Sequence, residues 1–341
     1  MSAPVRVLVV DDSPFMRGVL PSKIEADARF KVVGTAANGR EAIEKTLSLN
    51  PDIVTLDIDM PVMNGIEALK EIVRQSTAAV VMLSARTEQG AAITLEALSL
   101  GAVDFIPKSR GVERIHDKLL AVVEARAHKA RVSAPRSTVV VRSVAAPRAA
   151  GGARVNARIC IIGSSTGGPQ ALQTVLTQLP ANLPVPIVIA QHMPPHFTKA
   201  LAQRLDDICK PKVVEAADGD TLVKGTIYIC PGGMQTRVTA TEIKVSPDQG
   251  ESLYKPSIDV LTESARSSYG KNVLGVMLTG MGGDGALEFT KLRKLGGYNI
   301  SQDQASCVVY GMPRTLVESG GADEVLPLDQ IGARIRSALG C

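Results

Sequence analysis

Tryptophan is absent from the 341-residue sequence, and aromatic residues make up 3% of it. Platforms that stack single-stranded bases are built from aromatic side chains, so that mode of binding is not expected. Cysteine is sparse: the five residues, at 160, 209, 230, 307 and 341, are odd in number and form no C-x-x-C pair. Such spacing supports neither a disulfide framework nor a zinc ribbon, and a reducing cytoplasm is the expected location. There is no run of 18 apolar residues, and the opening MSAPVRVLVVDDSP has no apolar secretion-signal core, so membrane insertion is not expected. An excess of basic charge is confined to one segment. The net charge is +4, yet eight Lys or Arg and no acid fall between Arg126 and Arg158, leaving 30 basic and 34 acidic residues elsewhere. A nucleic-acid-binding face needs basic charge clustered on folded surface, and no nucleic-acid partner is expected.

What is present is a globular composition, 45% hydrophobic and 21% charged, at a length that suggests two domains. The basic stretch is rich in Ala, Pro, Arg and Gly and lacks the apolar spacing of a packed helix. It reads as a flexible tether, residues 126–157, between a domain at 1–125 and another at 158–341.

In the first domain VRVLVV, KVVGTA, DIVTLD, AVVMLS and VDFI read as strands. They alternate with helical patterns near residues 14–27, 39–49, 64–75, 87–99 and 111–127. Strands so apolar are covered on both faces, as in a doubly wound parallel sheet. Ligands of such sheets sit at the carboxyl ends of strands. Asp11 and Asp12 end the first strand, Asp57 the third and Ser84 the fourth, and Lys108 follows the fifth. Three carboxylates crowded at one edge call for a cation, and oxygen donors alone suit Mg²⁺. With a hydroxyl and an ammonium beside them, the set points to phosphoryl transfer.

The motifs VVDDSPFMR, TLDIDMPVMNG, MLSA and DFIPK resemble the receiver domain of bacterial response regulators. The resemblance implies a flavodoxin-like sheet of five parallel strands in which Asp57 accepts phosphate from a histidine kinase. It also implies Mg²⁺ held by Asp11, Asp12, Asp57 and the backbone at Asp59, and a switch formed by Ser84, Phe105 and Lys108. One departure is Ser109 after the lysine, where receivers usually carry proline; here Pro107 precedes Lys108.

In the second domain ARICIIG reads as a strand, SSTGGP as a turn and QALQTVLTQLP as an amphipathic helix. Gly163 to Gly167 fits G-x-S-x-G, in which a sharp turn presents a serine hydroxyl at a strand end. The competing dinucleotide turn lacks G-x-G-x-x-G and an acid about 20 residues on. A looser likeness to short-chain dehydrogenases lacks Tyr-x-x-x-Lys; Tyr310 with Arg314 is the nearest approach. A serine nucleophile needs a base, and the chain offers only His116, His128, His192 and His196. His192 follows the strand-like PIVIAQ and is the favoured base. Its four-residue spacing to His196 is a metal-ligand spacing on a helix, but Pro194 and Pro195 interrupt any such helix. No acid lies between Ser165 and His196, so the orienting carboxylate comes from elsewhere. Asp284, in VLGVMLTGMGGDGALEF, is the choice; the same residue also reads as an N-cap of the helix that follows it. Glycines in that loop permit backbone N–H groups to approach an oxyanion.

GSSTGGPQAL, QHMPPHFT, TGMGGDGA and ASCVVYGMPR are similar to the chemotaxis protein-glutamate methylesterase (CheB) family, in both domains and in their order. The resemblance implies a second, Rossmann-like α/β domain with a mostly parallel sheet. It implies Ser165 as nucleophile, His192 as base and acid, Asp284 as orienter, and backbone at Thr166 or Met281 as oxyanion donors. The implied substrates are glutamate γ-methyl esters on methyl-accepting chemoreceptors, released as methanol, with glutamine deamidation as a second activity. The implied phosphodonor is a chemotaxis histidine kinase. Mg²⁺ serves receiver phosphorylation only, no cofactor serves ester hydrolysis, and the protein is expected to be a cytoplasmic monomer. The unphosphorylated receiver is expected to cover the Ser165 cleft. Ser164 stands where many relatives carry Ala; the glycine spacing favours Ser165. Two alternatives remain at this point: the same chemistry on another signalling protein, and a non-enzymatic response regulator. IYICPGG, RVTATEIKVS and SIDVLTESARSSYG read as packing elements and loops.

Overall fold

The computed structural model describes residues 3–84, 87–108, 115–132, 154–247, 250 and 252–341. Its contacts divide the chain into two compact units, Met1–His128 and Lys129–Cys341. The elements that begin in the first are β1 (Val5–Val10), α1 (Pro14–Glu25), β2 (Phe30–Ala36), α2 (Gly39–Leu49), β3 (Ile53–Asp57), α3 (Gly65–Gln75), β4 (Ala79–Ser84), α4 (Glu88–Ser99), β5 (Asp104–Pro107) and α5 (Ile115–Val132), whose last residues pass the boundary. The strands pair in the order β2-β1-β3-β4-β5, all parallel.

Local sequence explains where the helices begin. Ser13 caps α1 through its hydroxyl, with Pro14 in the first turn, a position where a missing N–H costs nothing. Asn38 caps α2 in the same way, and Asn64 with Glu67 forms a reciprocal capping box on α3. Val7, Val9, Ile53, Val81, Leu83 and Ile106 from the sheet pack with Leu20, Ile24 and Leu119 from the helices. Burying each such side chain contributes roughly 1.5–3 kcal/mol. The chain leaves β1 toward β2 on one side and β3 on the other, so the loops after β1 and β3 face a crevice at their carboxyl ends.

The second unit contains β6 (Ile159–Ser164), α6 (Gly168–Leu176), β7 (Ile187–Gln191), α7 (Phe197–Ile208), β8 (Lys212–Glu215), β9 (Thr226–Ile229), β10 (Met234–Val238), β11 (Ile243–Pro247), α8 (Ile258–Tyr269), β12 (Val273–Met277), α9 (Ala286–Leu295), β13 (Tyr298–Gln302), α10 (Met312–Glu318), β14 (Glu324–Leu326) and α11 (Leu328–Leu339). Seven strands pair in the order β14-β13-β12-β6-β7-β9-β8, and every pairing in that sheet is parallel. The antiparallel component is a separate hairpin of β10 and β11. It is tied to α8 by Val238 N–H to Ser264 Oγ (3.0 Å) and Ser268 Oγ to Val238 O (3.0 Å). The segments IYICPGG and RVTATEIKVS thus supply strand β9 and most of this hairpin. The order turns at β6, which has β7 on one side and β12 on the other.

Both ends of the expected tether enter described structure. Helix α5 continues to Val132, and Val155 N–H donates to Ala338 O at 2.7 Å. Residues 133–153 of the tether lie outside the described residues, as do Ser109 and the first positions of the helix expected at 111–127. Among the described residues no helix is long and apolar enough to cross a membrane.

Candidate active site

In the first unit, parallel pairing carries Asp11, Asp12 and Asp57 to one edge, where a carboxylate oxygen from each lies within 4.8 Å of the others. Asp11 and Asp57 are buried and Asp12 is exposed. The Lys108 ammonium lies 2.7 Å from Asp57 Oδ2 and 3.0 Å from Asp11 Oδ2. Burial pushes the Asp57 carboxyl up to about 6, aided by Asp11 and opposed by Lys108 and the Ile58 N–H. Asp11 Oδ2 is buried and has no hydrogen-bond partner, and it pairs by charge with the Lys108 ammonium. Three hard oxygen donors with one such oxygen left over fit Mg²⁺. Asp59 is exposed two residues beyond Asp57.

Ser84 is one register position past the β4 partner of Asp57, which is Leu83. Its buried hydroxyl meets Thr94 Oγ1 of α4 at 2.6 Å. The Lys108 N–H donates to Ser84 O at 2.9 Å. Phe105 is buried on β5 with the Lys118 ammonium 5.9 Å from its ring centre.

In the second unit, Ser165 follows β6, His192 follows β7, and Asp284 lies in the loop after β12. These are three neighbouring strands, so the parallel sheet delivers all three residues to one edge. The register pairs Ser164 with Gln191, and His192 N–H donates to Ser164 O at 3.0 Å. Ser165 N–H donates to Thr279 O at 3.0 Å, and Gly168 N–H closes the turn on Ser165 O at 2.8 Å. Gly167 turns the chain at φ +76°, a left-handed conformation that glycine adopts without steric cost. Gly280 allows close approach: a Cβ there would lie 2.7 Å from Ser165 Cβ.

The adjacent hydroxyls are unequal. Ser164 is fully buried and donates to Gln191 Oε1 at 2.6 Å, whereas Ser165 is half-buried. Gln191 uses its other end as a staple, with Nε2 donating to Ser165 O (2.9 Å) and His192 O (3.1 Å).

Asp284 Oδ2 lies 2.8 Å from His192 Nε2. The same carboxylate accepts from Ser257 Oγ (2.9 Å), Ile258 N–H (2.7 Å) and Asp259 N–H (3.2 Å). It therefore sits on the positive N-terminus of α8. Burial, the largest single influence, pushes this carboxyl up, but His192 and the two N–H donors together outweigh it and hold it below its ordinary range. The N-cap reading of Asp284 takes an altered form: α9 starts from Gly285 without a side-chain cap, and the helix end that Asp284 serves is that of α8, far away in sequence. His192 Nδ1 is buried and has no hydrogen-bond partner.

Thr166 is buried, and its carbonyl accepts from Thr279 Oγ1 at 3.0 Å. Met281 follows Gly280, whose carbonyl is fixed by the N–H groups of Gly311 (3.0 Å) and Met312 (2.8 Å). Both oxyanion candidates thus adjoin residues that touch Ser165. His196 is exposed at the N-cap of α7. The carboxylates of Asp11, Asp12 and Asp57 form the metal-compatible cluster found among the described residues.

The sequence reading did not single out Gln191, Ser257 or Tyr254. Ser257 carries a local signal, a serine before an apolar-periodic helix, but nothing local says that α8 will bind Asp284. The Tyr254 ring lies parallel to the His192 ring, centroids 4.2 Å apart, and no spacing pattern announces it.

Residues 160–335 match the CheB methylesterase family, and residues 7–120 match the response regulator receiver domain. A protein-glutamate methylesterase/protein-glutamine glutaminase of Symbiobacterium thermophilum is 44% identical over 356 residues, covering 99% of this chain and 98% of that protein. One named for the group 1 operon of Pseudomonas putida is 43% identical, covering 98% of this chain and 99% of that protein. Among solved structures, the Thermotoga maritima CheB methylesterase catalytic domain is 39% identical with a TM-score of 0.51, covering 52% of this chain and 97% of that one.

Proposed function

The chain belongs to the CheB methylesterase family, with a response regulator receiver domain ahead of the catalytic one, and on that premise we propose that it is a phosphorylation-activated protein-glutamate methylesterase and protein-glutamine glutaminase. The substrates are glutamate γ-methyl esters and glutamines of methyl-accepting chemoreceptors, and the setting is chemotactic adaptation in the cytoplasm. The observation that carries the reading is the 2.8 Å pairing of His192 with Asp284 at the strand edge that also presents the Ser165 turn.

With Nε2 engaged by Asp284, the atom of His192 left for proton transfer is Nδ1. Ser165 Oγ attacks the ester carbonyl while Nδ1 takes the hydroxyl proton. The tetrahedral oxyanion is received by backbone N–H at Thr166 or Met281. Its collapse breaks the bond to the methoxy oxygen, which leaves as methanol with the proton from His192. Water then gives a proton to His192 and attacks the acyl-enzyme, restoring Ser165 and leaving a glutamate carboxylate. For glutamine the same cycle releases ammonia. Asp284 holds the imidazole orientation and balances its transient charge.

In the receiver, Asp57 is the phosphoacceptor for a chemotaxis histidine kinase. Asp11, Asp12, Asp57 and the Asp59 backbone would hold Mg²⁺, which when bound neutralises phosphoryl charge. Lys108 offers a second positive charge to a phosphoryl oxygen. Ser84 and Phe105 complete the switch.

The test is methanol release from methylated chemoreceptor membranes, with and without Mg²⁺ and a small phosphodonor, in wild type, Ser165→Ala and Asp57→Asn. Release that needs Ser165, with phosphodonor stimulation that needs Asp57, is the expected result. No release despite phosphorylation of Asp57 would refute the assignment of substrate.

A further inference from the structure

We propose that Tyr254 is a positioning residue for His192, fixing the ring plane in which Nδ1 receives the Ser165 proton. The inference rests on the Ser-His-Asp reading above and names a residue that its mechanism does not use. The two rings are parallel within 5°, with centroids 4.2 Å apart. The bond from Asp284 fixes one ring atom, Nε2. A ring held at one atom still swivels about χ2, whose well is broad for histidine, and that motion displaces the buried, unpartnered Nδ1. A parallel neighbour opposes the swivel, because tilting either ring separates the stacked faces. The electron-rich face of a tyrosine also attracts a cation, the form His192 takes once it has accepted the proton.

Tyr254 is itself anchored. Its carbonyl accepts from Gln235 Nε2 at 2.8 Å, and its N–H donates to Ser252 Oγ at 3.2 Å. A Cβ placed at Gly282 would lie 2.9 Å from the phenol oxygen, so that oxygen rests against the glycine loop that carries Asp284. Three residues after Tyr254, Ser257 opens α8, whose first donors bind Asp284. One short segment thus grips both members of the pair, the imidazole by its face and the carboxylate by its oxygens.

The experiment measures methanol release by the full-length protein as wild type, Tyr254→Phe and Tyr254→Leu, together with NMR of the histidine side chains, His192 being assigned with His192→Gln. Tyr254→Phe keeps the stack and should hold kcat within about twofold of wild type. Tyr254→Leu should lower kcat about tenfold with KM little changed, the pattern expected of a residue that acts on alignment rather than on ground-state binding. The His192 Cε1–H should be shifted upfield by the neighbouring ring in wild type and in Tyr254→Phe, and should lose that shift in Tyr254→Leu. A wild-type kcat in Tyr254→Leu, or a loss in Tyr254→Phe as large as in Tyr254→Leu, overturns the proposal. So does an unshifted His192 proton in the wild-type protein, a result that does not depend on any variant folding. A wild-type protein that releases no methanol overturns the functional reading and this inference with it, whereas failure confined to the Tyr254 comparison overturns this inference alone.

Discussion

Ser164 and Ser165 are chemically identical neighbours, and their surroundings separate them. On the proposed mechanism Ser165→Ala removes the nucleophile, and it is expected to reduce methanol release by about a thousandfold or more. Ser164→Ala should keep Ser165-dependent release but leave Gln191 Oε1 buried without its donor, at a cost of about 1–3 kcal/mol, read as a lower Tm. Asp284 supplies a prediction in pH. Its folded-state carboxyl titrates below the ordinary value, so the unfolded chain binds the proton more readily. The stability it contributes is complete above the unfolded value, about 3.9, and is lost as pH falls through the lower folded value. Wild-type Tm should therefore decline as pH drops below about 4, and Asp284→Asn should show a shallower decline over that range. A slope unchanged by the substitution would show that Asp284 is not held in its charged form.

At the scale of the element, the determining features are the α8 N-terminus and the glycines around Ser165. Ser257 both caps α8, through Val260 N–H, and donates to Asp284. Ser257→Ala should cost about 1 kcal/mol of stability from the cap and should lower kcat through a looser Asp284. Thermal melting and steady-state kinetics on one preparation check both. Gly280→Ala drives a methyl group toward Ser165 Cβ and Met312 Sδ, an overpacking expected to cost about 1–3 kcal/mol and to displace the Ser165 turn. Strands β1, β3, β4, β6, β7 and β12 were legible because parallel strands covered on both faces are continuous apolar runs, such as Val273–Met277, all five residues of which are buried; β2, a half-buried edge strand, and the short β5 were legible from their place between helical patterns. The short β8 and β14, with partly exposed patterns, carry no such run.

At the scale of the whole molecule, two sheets place two candidate sites on one chain. Asp57→Asn should leave basal methanol release intact and abolish its stimulation by a phosphodonor. Deleting residues 1–150 should raise basal release if the unphosphorylated receiver restrains the catalytic unit; an unchanged basal rate would argue against restraint and leave Asp57-dependent activation to be explained otherwise. The sequence by itself determined the two α/β units, the acidic edge with Lys108, and the choice of Ser165, His192 and Asp284. It could do so because strand ends in a parallel sheet are set by local apolar patterning, and residues just past those ends must share an edge. Tertiary structure alone decided which partners complete the site. Gln191 staples the two strand ends, α8 lends its N-terminus to Asp284 from 25 to 27 residues away, and Tyr254 stacks on a ring 62 positions earlier in the chain. Contacts of that kind depend on how separate elements meet in space, and a one-dimensional pattern records only how each element is built.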